Sequence, residues 1–228
     1  MKQVEKMTRL IATAAALACG LGVGAASAAN MDTTGVNNGE IMSFGLPASG
    51  TYGQTFTPDA TQTRLTGYSL FLRNRNDGDG TLDLRGYVAP WTGTKAGAPL
   101  FTSGVQTMNA AGDQQEFAFA TDLTLTAGTT YVAFLSVSGL TTQGDNSFDM
   151  PRAAAGALAG GTFVFLDDPA ASFTTEDWSK WQAVDVWFKA TFSDPAVSAA
   201  AVPAPASLAV FGVALAALAL TRRKPGRG

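Results

Sequence analysis

Between residues 29 and 195 apolar side chains recur at every second position, in short runs broken by Gly, Asn, Asp and Thr. That is the period of a β-strand, whose successive side chains point to opposite faces. Tyr68, Leu70 and Leu72 share one face of the run at 68–73. In 81–88, Leu82, Leu84, Gly86 and Val88 share a face, with Asp83, Arg85 and Tyr87 opposite. Phe117 and Phe119 alternate with small or polar neighbours in 115–120. The run at 130–137 is apolar on both sides, which predicts a strand buried between two layers. Runs at 161–168 and 183–192 close the series, the last alternating Val184, Val186, Phe188, Ala190 and Phe192. No stretch here sustains a 3.6-residue period, and the Ala/Gly-rich 153–161 reads as a loop rather than a turn of helix.

Six or more short strands, each with an apolar face to cover, predict an antiparallel β-sandwich. It occupies residues 29–195 as one domain, long enough to bury a core of its own. Residues 196–205 follow as a tether poor in large side chains.

The two ends follow a different rule. Lys2, Lys6 and Arg9 precede an apolar stretch from Leu10 to Ala18, and Ala26-Ser27-Ala28 supplies small residues for cleavage. This order predicts a secretory signal helix over 1–28, cut by a signal peptidase between Ala28 and Ala29. At the other end Ala206–Leu220 carries no charge and is followed by Arg222, Arg223 and Lys224. A 15-residue helix spans roughly 22 Å, short of the ~30 Å hydrocarbon core, and the snorkelling basic stems make up part of the difference. The segment 206–228 is therefore expected to be a single transmembrane helix, its basic stop cytoplasmic and the domain outside.

Charge sharpens this picture. Residues 29–205 hold eight Lys+Arg against 17 Asp+Glu, a net −9, which argues against a nucleic-acid partner. The chain has no histidine, and its one cysteine, Cys19, lies in the signal. A lipobox would place Leu where Ala16 stands, so lipidation of Cys19 is the weaker reading. After cleavage, disulfides, zinc sites and histidine-dependent nucleophiles all lack their residues.

Candidate chemistry in the body is sparse. Trp91, Trp178 and Trp181 stand in polar contexts and are candidate sugar contacts, with packing at the edge of the core as the alternative. Trp187, inside the last run, reads as packing. Asp77, Asp79 and Asp83 in a glycine-rich turn could ligate calcium; the same Asn-Asp-Gly motif is also a plain hairpin signal, and otherwise no cofactor is expected. Glu116, Glu176 and the aspartates leave a hydrolytic carboxylate pair open beside solvated loop charges.

Two resemblances complete the reading. The phrases at 53–59, 65–73, 84–103 and 125–139 resemble a jelly-roll-like, galactose-binding-like domain of secreted bacterial surface proteins. The tail, with Val202, Pro203 and Pro205 before the apolar segment and basic end, resembles the PEP-CTERM class of sorting signals, with Ala204 where that class usually has glutamate. The resemblance implies processing by an exosortase after brief residence in the inner membrane, then release to the cell surface or extracellular matrix. It also implies association with extracellular polysaccharide. The function expected is a non-enzymatic glycan-binding or structural surface module, with a secreted glycan hydrolase using an Asp/Glu pair as the alternative.

Overall fold

The computed structural model describes residues 30–74, 80–109, 114–140 and 146–193. The signal segment with Ala28 and Ala29, the tether, the sorting motif (Val202, Pro203, Pro205), the basic stop (Arg222, Arg223, Lys224), Asp77 and Asp79 lie outside them. Among the described residues every regular element is a strand, and no helix is long and apolar enough to cross a membrane.

The strands form two antiparallel sheets, as the period-two pattern predicts. In the first, β4 (Arg64–Arg73) is central. It pairs with β8 (Gln114–Thr124) along one edge and β13 (Phe188–Ser193) along the other. β1 (Met31–Asp32) flanks β13, and β10 (Ser147–Pro151) meets the end of β4 at Arg73 before pairing with the edge strand β2 (Glu40–Gly45). The second sheet runs β12 (Ser179–Trp181), β11 (Phe163–Leu166), β3 (Thr51–Phe56), β9 (Tyr131–Ser136), β5 (Thr81–Pro90) and β6 (Phe101–Thr102). β7 (Gln106–Asn109) pairs with the start of β5.

The core fills the space between the sheets. Tyr68, Leu70 and Leu72 of β4, Leu82, Leu84 and Val88 of β5, and Phe117 and Phe119 of β8 all face it, each on the face read from alternation. Gly86 completes the β5 face for a steric reason. A Cβ there would overlap the Phe119 ring and stand 2.5 Å from the Tyr68 hydroxyl, and those two rings stack at 4.8 Å against the strand.

β9 is buried on both faces, as expected of a central strand. Its Tyr131, Ala133 and Leu135 enter the main core, while Val132 and Phe134 face outward into a second cluster with Tyr87, Ala89, Val164 and Leu166. Apolar side chains on the outer face of a sheet need cover. Here the segment 167–178 crosses back over it, placing Phe173 and Trp178 on the cluster. Trp178 N–H donates to Thr94 O at 2.7 Å and Lys95 Nζ to Thr175 O at 2.9 Å, tying this cover to the 91–96 turn.

The last run departs from its sequence reading. Val184 and Val186 reach the core, yet the strand begins only at Phe188. Ala183 takes a left-handed conformation (φ +59°), which turns the chain out of β12. Val186 forms an isolated antiparallel bridge with Arg152, in which Asp185 O accepts from Ala153 N–H and Trp187 N–H donates to Pro151 O, both at 2.9 Å, while the Val186 N–H is taken up by Gln54, a fully buried side chain on β3. Its Oε1 accepts from Val186 N–H at 2.9 Å, and its Nε2 donates to the Asp185 carboxylate at 2.8 Å. Asp185, 1% exposed, also accepts from Leu158 N–H at 3.1 Å and so pins the 153–161 loop.

Candidate functional site: an aromatic pocket at the open edge

Both sheets end on the same side of the sandwich, the first in β2 and the second in β12. Between these edges lies a pocket of about 200 Å³. Its wall from the second sheet is Tyr52, Phe163, Phe165 and Trp181; Ile41 and Met42 come from β2, and Ser49 and Asp167 from the loops at one end.

The strand register explains why four aromatic rings meet here. Phe163 lies opposite Trp181 across β11 and β12, and Phe165 lies opposite Tyr52 across β11 and β3. All four point to the same face of the sheet. Phe163 and Phe165 stack with centroids 5.5 Å apart, and Trp181 meets both edge-on at 5.8 and 5.9 Å. Tyr52 is 5.0 Å from Phe163 on the other side. Phe163 is fully buried, whereas Trp181 is 45% exposed on a three-residue edge strand, so its ring is available to a ligand.

A β-bulge shapes the opposite wall. Phe44 pairs with Phe148 and Ile41 with Met150, leaving Met42 and Ser43 together opposite Asp149. Within the bulge Ser43 takes φ +76°, a left-handed conformation uncommon outside glycine. The extra residue lets Ile41 and Phe44, three apart, both face the core. It also leaves Met42 exposed at the pocket and aims its carbonyl at Tyr52, whose hydroxyl donates at 2.6 Å. Burial pushes the Tyr52 phenol above its ordinary pKa, Ser49 pulls partly the other way, and the negative charges of Asp167 and Asp149 add to the rise. Tyr52 therefore stays a neutral donor that bridges the two sheets.

Asp167 is fixed from the β2–β3 loop. Ser49 Oγ donates to its Oδ1 at 2.7 Å, and Gly50 N–H donates to its backbone carbonyl at 3.2 Å. Ser49 itself is buried, its N–H donating to Ser43 O at 3.2 Å. The exposed Asp167 carboxylate thus stands on a held backbone beside the aromatic wall.

The three tryptophans singled out from sequence do not share a face. Trp178 is 6% exposed and packs on the outer cluster with its Nε1 donating to Phe173 O at 2.9 Å. Trp91 lies edge-on to it at 5.6 Å. Trp181, three residues past Trp178, is on the opposite face of the same sheet, in the pocket. Trp187 packs edge-on against Phe71 at 5.8 Å, in line with its reading as a packing residue.

The carboxylates are dispersed. Asp83 accepts from Thr107 Oγ1 at 2.7 Å, across the β5–β7 pair. Among the described residues no three acidic, histidine or cysteine side chains gather as metal ligands. Glu116 lies 3.4 Å from Lys189, Glu176 is exposed, and the described lining of the pocket contains one carboxylate, Asp167. The aspartates with displaced pKa values are held low by local donors. Asp122 is lowered by hydrogen bonding and then charge from Arg64, Asp177 by Lys95 and Thr94, and Asp59 by Thr61. A second depression of about 240 Å³, beside Gly160, Gly161 and Lys180, offers neither an aromatic ring nor a carboxylate.

Tyr52, Phe165, Asp167 and Ser49 were not singled out from sequence. A signal was present: in 161–168, Phe163, Phe165 and Asp167 occupy alternate positions, an aromatic face ending in a carboxylate. Comparison with protein-family models, with curated proteins and with solved structures finds no match.

Proposed function

We infer that the chain is an exported, membrane-sorted and non-enzymatic surface module that holds carbohydrate in its edge pocket. The observation that carries the carbohydrate reading is the pocket's composition: exposed Trp181 and half-buried Phe165 beside the carboxylate of Asp167 and the hydroxyl of Ser49. Flat aromatic faces cover the apolar C–H faces of a sugar ring, and a few fixed polar groups orient its hydroxyls. The export reading is supported by the basic-then-apolar start, the small residues at Ala26 and Ala28, and the proline motif, apolar segment and basic end after Val202. The tail's resemblance to exosortase-sorted proteins supports a domain that lies outside the membrane and, after processing, at the surface or in the matrix.

The experiment is a glycan array probed with the full chain in mild detergent, with reducing-end release followed on every glycan that binds. A binding module retains glycan without releasing reducing ends, and Trp181→Ala abolishes retention. Release that disappears on changing a single carboxylate would replace this reading with a hydrolase. Neither retention nor release would leave a purely structural module.

A further inference from the structure

We propose that the pocket between β2 and β12 selects an amino sugar whose amine is free and protonated, bound as a single ring at a chain end or branch. The inference rests on the carbohydrate reading above and adds the ligand's charge and its position in the polymer.

Size sets the position. At about 200 Å³ the pocket falls below the ~300 Å³ at which sites for drug-sized ligands begin. It encloses one ring, and any neighbouring rings of a chain would lie outside it.

Composition sets the charge. Ring faces carry negative quadrupole density that attracts ammonium groups, Trp most strongly. Trp181 is the most exposed ring of this wall, and Asp167 adds a formal negative charge to the same pocket. Ser49 occupies Oδ1 of that carboxylate with a neutral donor, so the charge is not cancelled. Among the described residues Oδ2 has no partner, and no Lys or Arg lines the pocket or pairs with Asp167. An ammonium would meet this oxygen with a charge-assisted hydrogen bond, about twice as strong as a neutral one. A neutral sugar would leave the charge unused. An acidic sugar would meet Asp167 and the net −9 of residues 29–205. Because the bulge at Ser43 and the loop through Ser49 hold the walls in place, little ordering accompanies binding.

The test titrates the full chain in mild detergent with short oligomers of glucosamine, N-acetylglucosamine and glucose of equal length. The free-amine oligomer is expected to bind at least about tenfold tighter than either neutral one, a difference of about 1.4 kcal/mol. Asp167→Asn keeps an oxygen for the Ser49 hydroxyl and is expected to erase the preference without moving the melting temperature. Raising the pH through the amine's own pKa should weaken binding to the unaltered chain, a readout that needs no variant. If all three oligomers bind alike and only Trp181→Ala abolishes binding, the sugar pocket stands and the amine preference is refuted. If the preference survives both Asp167→Asn and Trp181→Ala, the attraction comes from the acidic surface at large and the pocket assignment is refuted. If none of the three binds, this proposal is overturned, while the glycan array decides the broader carbohydrate reading.

Discussion

Replacing Gln54 by Leu keeps nearly the same volume and removes both polar ends of a side chain with no solvent exposure. Val186 N–H then loses its acceptor, at 2.9 Å, and the Asp185 carboxylate loses the donor at 2.8 Å. An orphaned buried donor costs about 1–3 kcal/mol, and a lost hydrogen bond to a charged group about 1.5–3 kcal/mol. Added apolar burial offsets part of this, giving a net loss of about 2–5 kcal/mol, which overlaps the range seen when a buried charge loses its partner. For a domain of this size each kcal/mol lowers the midpoint by roughly 2–4 °C, so Gln54→Leu should melt roughly 4–20 °C lower. Circular dichroism melts of the parent and variant measure this directly. Gln54→Leu/Asp185→Leu removes the charge together with its partner and should recover part of the loss relative to the sum of the single changes. A Gln54→Leu midpoint within about 2 °C of the parent would refute the claim that this side chain is the buried partner that holds Val186 and Asp185 in place.

Phe163→Ala, at a fully buried position, should destabilise by about 3–5 kcal/mol, whereas Trp181→Ala should cost only about 1–2 kcal/mol because much of its surface already meets solvent; denaturant melts separate the two. Gly86→Ala should cost about 1–3 kcal/mol, since the new Cβ must displace the stacked Tyr68 and Phe119 rings. The Tyr52 phenol, raised chiefly by burial, should ionise above the ordinary value of about 10. Its folded pKa lies above the unfolded one, so its contribution is present below about pH 10 and lost as pH rises through the folded value; an ultraviolet titration of the parent minus Tyr52→Phe isolates it. Mass spectrometry of the chain recovered from its native host should find residues before Ala29 and beyond the proline motif missing, and an intact chain would refute export and sorting.

Long strands with one buried face were readable because alternation reports burial directly. The faces of β4, β5, β8 and β9 are as the pattern implies, down to Gly86 among the inward residues of β5. β2 was hidden because its bulge puts buried Ile41 and Phe44 three residues apart, a spacing foreign to a regular strand. β3 was obscured by a buried Gln54 and a Gly53 in the middle of the strand, and β12 by having only three residues, all exposed. The pocket was only partly legible. Trp181 announces itself as a large aromatic in a polar stretch, but Phe163 reaches it only through the β11–β12 register, and Tyr52 joins through the β11–β3 register from more than a hundred residues away. Trp91 and Trp178 look the same in sequence, yet they pack on the outer cluster, Trp178 as the end of the 167–178 cover that alternation does not encode.

The four tryptophans make the decisive measurement simple, because Trp181 alone among them lines the pocket. Indole N–H resonances of the full chain, assigned by single Trp→Phe changes, can be followed while a glucosamine oligomer is added. The expected result is a saturable shift of the Trp181 signal, with Trp91, Trp178 and Trp187 unmoved. A saturable shift of the Trp91 and Trp178 signals instead, or no shift at any of the four, would contradict the assignment of the edge pocket as the place where this protein meets its ligand.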